Sequence, residues 1–365
     1  MISVARSFMA VAAPVALLGL HFAVMMCYIN RWDQFVPITL VPIWAWASLA
    51  IVLSLLSLLV FKGRLSILSL LIWLGTGLIC ADETPPLMRE VKASYLRSLS
   101  PDKNDKGFKP SETGHLRVIT LNCSDRNLEA ALELKSLEPD IVFLQQCPTL
   151  PELRQLAQHL FGAEGSYVSS WQCAIVARGK LDQVSTDPTS SSIYATLETV
   201  DDKNFDLINL HLQPSIPRFD IWKPDCWGAL VDARKENRTQ LRSIAAMFPE
   251  RAVPRPRIIG GDFGTPPGDA IFRVLDPNFD DSFKTAGRGW PDTWPKRFPV
   301  LRIDQLWASG ELEPVSGLVL PSNHSDHRIV VCDYQIAKPE GVFTKTGNSS
   351  EPAGGQQAVA MVVAK

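Results

Sequence analysis

The sequence predicts an α/β domain with mixed sheets, carried behind about three membrane-spanning helices. Three observations predict it. The first 81 of the 365 residues are strongly apolar, and the remainder has an ordinary globular mixture. From about residue 115, short apolar segments of strand character alternate with helical patterns and turns. Several of those segments end on polar residues of catalytic type, where open α/β sheets place ligand-binding groups.

Three apolar runs open the chain, at about 11–29, 38–61 and 65–81. A bilayer core takes about 17–25 apolar residues as helix, so the second run qualifies and the third is at the short limit. Trp32, Trp44 and Trp46 fall near one end of the first hairpin, as interfacial aromatics do. Met25, Met26 and Cys27 stand where a signal peptide would need small residues for cleavage. His21, inside the first run, reads as a tolerated polar residue in a helix interface. Arg6, Lys62 and Arg64 put the positive charge on the amino-terminal side, while Arg31 is balanced by Asp33. The expectation is a multi-pass membrane protein with its amino end inside and its soluble domain on the extracytoplasmic side.

The transmembrane region is drawn at 1–85 and a linker at 86–112. DETPPLMREVKASYLRSL has room for a short helix after Pro86, and SPDKNDKGFKPSETG reads as a mobile connector. The domain proper is drawn at 113–337, and the tail, 338–365, as disordered.

In the domain, 116–121, 141–145, 173–177, 192–198, 205–212, 257–262, 301–308 and 328–334 read as strands. Helical spacing marks 128–138, stopping before Pro139, 151–161 with proline in its first turn, and 236–248, where Leu241, Ile244, Ala245 and Phe248 share a face. The net charge of −2 excludes a basic, nucleic-acid-coating protein. Seven scattered cysteines contain no CxxC pair, which argues against a zinc ribbon or a thioredoxin-type site.

RIIGGDFGTPPGD, residues 257–269, ends a buried strand on a carboxylate, Asp262. Asn122, Gln145, Gln146, His211, Asp304, Asp326 and His327 stand at or near the ends of other strands. Singly, each is an ordinary turn or capping residue; their occurrence together, in order, points to one site.

The motifs TLN (120–122), PDIVFLQQ (139–146), LINLHLQP (207–214), GGDF (260–263), TWP…LRIDQLWAS (293–309) and SDHR (325–328) follow one another in a familiar order. On them, segment 115–336 resembles the endonuclease/exonuclease/phosphatase superfamily, the DNase I-like enzymes, and within it the bacterial membrane-anchored type. The resemblance implies a four-layer α/β sandwich with the site at one edge of two packed sheets. It also implies hydrolysis of a phosphoester with a divalent metal, Mg²⁺ or Mn²⁺, which polarises the phosphoryl group and steadies the leaving oxygen. His327 is then the general base and Asp304 the acid that holds its imidazole. Asp262 orients the nucleophile or a metal-bound water, and His211 donates to a phosphate oxygen. Asn122 positions the metal or the phosphate, and Asp326 lies close to the metal shell.

Two positions depart from that pattern. Gln146 stands where the family has its metal-binding glutamate, and a neutral amide oxygen is a weaker ligand than a carboxylate. Gly264 replaces the asparagine of GDFN that contacts the scissile phosphate, and losing one such donor costs about 100- to 1,000-fold in rate. Gln145, Asp125 or Asp326 are then alternative sources of a ligand. An alternative reading makes the chain a weakened or inactive relative that binds a phosphate ligand. The tether favours substrates at the membrane surface, a lipid-linked phosphate or pyrophosphate first and nucleic acid second, since local basic runs are lacking. Segment 214–235, with Trp222 and Trp227, reads as a packed surface loop or a substrate lid, and Arg288, Trp290 and Trp294 carry the same two readings.

Overall fold

Strand alternation decides which residues meet in the interior of this molecule, a computed structural model that describes residues 2–99, 115–185, 191–214, 220, 223–251, 254–276 and 278–336. The chain begins with α1 (Ile2–Asn30), α2 (Val36–Leu40), α3 (Ile43–Phe61), α4 (Arg64–Cys80) and α5 (Thr84–Leu99). The domain follows as β1 (His115–Asn122), α6 (Leu128–Leu132), β2 (Ile141–Gln145), α7 (Leu150–Phe161), β3 (Gly165–Ser169), β4 (Cys173–Arg178) and β5 (Lys180–Ser185). It continues as β6 (Ser192–Glu198), β7 (Asn204–His211), α8 (Pro224–Ala245), β8 (Arg257–Asp262), β9 (Asp280–Asp281) and α9 (Ser282–Ala286). It ends as β10 (Asp304–Ala308), β11 (Leu312–Pro321) and β12 (Arg328–Ile336).

Two six-stranded sheets form, in the orders β11-β12-β1-β2-β4-β3 and β5-β6-β7-β8-β10-β9. The β1–β2 and β7–β8 pairs are parallel, and the other pairs are antiparallel. Side chains alternate between faces along a strand. Val118, Phe143, Leu207, Ile258 and Leu306 therefore fill the layer between the sheets. Ile119, Val142 and Leu144 face outward against Leu134, Leu153 and Leu156 of the α6–α7 side. Ile208 and Ile259 face outward against Leu241 and Ile244 of α8. Helix, sheet, sheet and helix thus make four layers, as the resemblance implies.

The same alternation builds the site. Asn122 shares the face of Val118, His211 that of Leu207, Asp262 that of Ile258, and Asp304 that of Leu306. All four side chains thus emerge at one end of the inter-sheet layer, just beyond its apolar filling.

Among the described residues, two helices are long and apolar enough to cross a membrane, Phe8–Asn30 and Ile43–Phe61, with mean hydropathies of 2.1 and 2.3. The third, α4, has 17 residues and meets α5 at a 75° bend. The three pack through Leu17, Val24, Ala47, Ala50 and Trp73. Ser54 pairs with Ser69 and Ser57 with Ser66, both at 2.9 Å, so these hydroxyls are satisfied between helices. His21 bonds Thr76 at 2.7 Å and meets Trp73 edge-on, an interface residue as expected.

The helices do not simply tether the domain; they dock on it. Val36 and Leu40 of α2 pack on Cys226 and Leu230 of α8. Arg234 of α8 is clasped by Asp269 at 2.6 Å and donates to the Trp32 carbonyl at 3.2 Å. Arg238 grips Asp33 with two bonds, 3.1 and 2.5 Å. Gly268 lets the guanidinium of Arg31 lie against its backbone, since a Cβ there would meet Nη1 at 2.9 Å.

Two expectations change, and one is met: the helix for which there was room after Pro86 forms as Thr84–Leu99, and its Arg89 donates to the carbonyls of Gly287 at 2.6 Å and Lys284 at 3.0 Å. The rest of the linker, 100–114, and the tail from 337 lie outside the described residues. Segment 214–235 is helix from Pro224 onward, because Cys226, Leu230, Arg234, Asn237 and Leu241 give α8 one continuous buried face. Trp227 sits on that helix, and Trp222 lies outside the described residues. The strand expected at 301–308 begins at Asp304, since Leu301 turns back to bond Thr293 and Trp294.

Candidate active site

Beneath the site, the apolar layer ends in a polar one. Gln145 donates to Asn209 at 2.6 Å and to Thr120 at 3.1 Å, and Asn209 donates to the carbonyls of Leu144 and Ala174. Gln145 is fully buried and committed to this network, so it does not serve as the alternative ligand. The network fixes the ends of β1, β2, β4 and β7, on which the site is built.

Above it, Asp262 is the hub. Its Oδ1 accepts from the Gly264 amide at 2.8 Å and its Oδ2 from the Asn122 amide at 2.9 Å. His211 Nε2 and His327 Nε2 stand 3.7 and 3.9 Å from Oδ2. A water at the apex above either gap can bond both groups. The other nitrogen of His327, Nδ1, meets Asp304 Oδ2 at 2.9 Å. The imidazole is thus braced behind by one acid and turned toward a second, as in triad-like sites.

Burial opposes charge on His327, but Asp304, followed by Asp262 and Asp326, more than offsets it and pushes the imidazole up to about 9. Burial also lifts the Asp304 carboxyl. With two acids facing one ring, we read the pair as imidazolium and carboxylate. Asp262, Asp304 and His327 also have ligand atoms within 4.8 Å of one another, close enough to hold a cation. The bond to Asp304 takes up the Nδ1 of His327, and we read the cluster as a braced imidazole.

Three further side-chain oxygens gather on one neighbouring loop. Asn122 Oδ1 accepts the Ser124 amide at 3.0 Å, and Gln146 Oε1 accepts the Asp125 amide at 2.7 Å. Asp326 is exposed and accepts the Ser124 hydroxyl. All three donors are oxygens and meet the same short loop. Ser124, Asp125 and Arg126 in that loop all have positive φ, 44°, 56° and 64°, a strained run of the kind that clusters at functional sites. An all-oxygen set with one carboxylate suits a hard, hydrated cation that completes its shell with water and substrate phosphate.

The structure thus brings His327, Asp304, Asp262, His211 and Asn122 together, with Gln146 and Asp326 beside them. Sequence reasoning missed their supports. Thr293 accepts the amides of Ile303 and Asp304, each at 3.2 Å, and so sets the start of β10. Ser325 donates to the Asn122 carbonyl at 2.6 Å and accepts the His327 amide at 3.0 Å. Only their place inside the TWP and SDHR motifs hinted at them. Trp290 and Trp294 are half-buried; Trp290 donates to the Pro299 carbonyl and meets Trp44 at 6.0 Å, which favours packing over an open substrate loop. Gly264 has a φ of 57°, and a Cβ there would lie 2.7 Å from the Gln213 carbonyl, so its departure from the pattern is built into the backbone.

Solved structures of similar shape include an endonuclease/exonuclease/phosphatase family protein from Bacteroides thetaiotaomicron, 17% identical, covering 61% of this chain and 96% of that one at a TM-score of 0.47. A humanised D. rerio TDP2 is 16% identical and covers 61% of this chain and 100% of its own, at 0.46. A mannosyl-6-phosphatase from B. thetaiotaomicron VPI-5482 is 17% identical and covers 60% and 99%, also at 0.46. No curated protein matches the chain in sequence. The model of the Endonuclease/Exonuclease/phosphatase family matches residues 119–327, from the middle of β1 to the braced imidazole itself. More than half of the chain lies in that span, with all the residues that converge on Asp262, and the protein belongs to the Endonuclease/Exonuclease/phosphatase family.

Proposed function

We propose that the protein is a membrane-anchored, divalent-metal-dependent phosphoesterase acting on a phosphodiester, phosphomonoester or pyrophosphate, with a lipid-linked substrate favoured. The observation that carries this reading is the 2.9 Å bond from His327 Nδ1 to Asp304, which leaves Nε2 facing Asp262. Once neutral, Nε2 takes a proton from a water that Asp262 holds in line, and Asp304 stabilises the imidazolium that results. His211 donates to a phosphate oxygen, and the Asn122 amide keeps Asp262 oriented. Asp326, with the amide oxygens of Asn122 and Gln146, would hold Mg²⁺ or Mn²⁺. When bound, such a cation supplies charge stabilisation to the phosphoryl and leaving oxygens.

The lipid-linked preference rests on where the site loop goes. Four residues beyond Asp262, Pro266, Pro267 and Gly268 begin to line a cavity together with Tyr28, Arg31 and Glu83 from the domain-side ends of the membrane helices. Substrate presented at the bilayer surface is therefore close to the catalytic loop. A panel of soluble phosphoesters and short-chain lipid pyrophosphates, given to full-length protein in detergent with and without chelator, tests this. Chelator-sensitive release of phosphate, faster on the lipid-linked members, is expected; hydrolysis confined to soluble esters contradicts the substrate class.

A second reading, phosphate binding without turnover, is favoured by Gln146. Its amide oxygen is engaged by the Asp125 amide and lacks a carboxylate's charge. Phosphate-analogue binding with no hydrolysis under either metal would favour it.

A further inference from the structure

We infer that the cleft at the domain-side end of α1 binds the phosphate headgroup of an anionic phospholipid. The cleft has a volume of about 700 Å³ and lies between residues 30–34, the second half of α8 and the turn at 270–274. Its lining contains four arginines, Arg31, Arg238, Arg242 and Arg273, against one acid, Asp33. That acid is already spent on Arg238 through two hydrogen bonds. Arg242 and Arg273 are exposed, and among the described residues neither has an ion pair. Arg31 borders the cleft but lays its guanidinium against Gly268, so Arg242 and Arg273 are the two unpaired cations that face it. Unmatched guanidinium groups of this kind take phosphate through paired N–H donors.

Depth selects the source of the phosphate. The apolar stretch of α1 ends at Asn30, and the cleft begins there, at the height of the lipid headgroups. Trp32, 39% exposed, stands in its wall, where indoles sit at a bilayer surface. A free phosphate would gain only the charge, whereas a lipid also lays its glycerol and first methylenes along Trp32 and α1. A zwitterionic choline headgroup would bring its ammonium against the excess of arginines. This site is separate from the catalytic notch and rests on the reading of α1 and α3 as membrane spans.

The test uses the full chain in a neutral detergent, with dihexanoyl phosphatidylglycerol, dihexanoyl phosphatidylcholine and inorganic phosphate as probes, followed by thermal unfolding and direct binding. Phosphatidylglycerol is expected to raise the unfolding midpoint and to bind at least about tenfold tighter than phosphatidylcholine, since each basic residue near an anionic surface contributes about fivefold. R242E/R273E should lose that preference, and R242Q/R273Q, which is gentler on the fold, should lose most of it. Equal binding of the two lipids, or a preference kept in both variants, overturns the proposal. Inorganic phosphate binding as tightly as phosphatidylglycerol overturns the lipid assignment. The H327A protein should keep the preference, so a failure of catalysis leaves this result unaffected. Release of the protein from membranes by carbonate would sink the span reading and this site with it, whereas a lost preference in membrane-retained protein sinks the cleft alone.

Discussion

Asn122 on the first sheet donates a 2.9 Å hydrogen bond to Asp262 on the second, and together with the His327–Asp304 bond it joins the two halves of the site. Asp262 is only 5% exposed, so its oxygen has little water to turn to if Asn122 is removed. N122A should therefore destabilise the fold by about 1–3 kcal/mol, the cost of a buried acceptor left unmatched. Chemical denaturation of the full-length protein measures it. A loss of a few tenths would show that Asp262 is held by its other partners alone.

The Asp304–His327 pair has a titration of its own. The imidazole is pushed up to about 9 because the acids around it outweigh its burial. A raised histidine adds stability below its unfolded value of about 6.5, and that stability fades as pH rises through about 9. Replacing Asp304 by asparagine should bring the His327 midpoint in metal-free protein down by NMR. It should also lower turnover by about 10³- to 10⁴-fold. An unchanged midpoint in D304N would show that Asp304 does not hold the proton.

Asp292, beside Thr293, lines the cavity that the domain shares with Tyr28, Arg31 and Glu83 of the amino-terminal helical region. Burial first, and then repulsion from Glu83, pushes its carboxyl up to about 8. A raised acid stabilises the fold fully below its unfolded value of about 3.9 and loses that contribution as pH climbs through about 8. The unfolding midpoint should thus fall across that window, and D292N should flatten the fall. Parallel pH profiles for the two proteins would contradict the placement of Asp292.

The two departures from the family pattern should respond differently to reversion. Q146E adds a carboxylate that can still accept the Asp125 amide, and it should raise turnover and lower the metal concentration needed for half-activity. G264N meets the Gln213 carbonyl 2.7 Å from its Cβ at a φ of 57°. It should destabilise the protein by about 1–3 kcal/mol and restore no activity. A G264N protein of normal stability and higher turnover would overturn this distinction.

Much of the domain was legible because its central strands carry strong apolar runs. β1, β2, β4, β6, β7, β8 and β12 lie where those runs fall, and alternation along them carries Asn122, His211, Asp262 and Asp304 to one end of the inter-sheet layer. Edge strands were not legible. β5 alternates exposed and half-buried residues, and β11 carries Pro314 and Gly317 and pairs with a register shift, so neither shows an apolar run. The first half of α8 was hidden because part of its buried face answers to α2, a partner no local pattern announces. Arg89, Thr293 and Ser325 act through backbone carbonyls and amides, and such contacts leave no periodicity behind.

The most direct test of the catalytic account is steady-state hydrolysis of a generic phosphodiester by full-length protein in detergent with Mg²⁺ or Mn²⁺, compared with H327Q. Chelator-sensitive turnover in the wild type, reduced at least about 100-fold in H327Q, is the predicted result. A folded wild type with no turnover under either metal, or an H327Q protein as fast as the wild type, would contradict it.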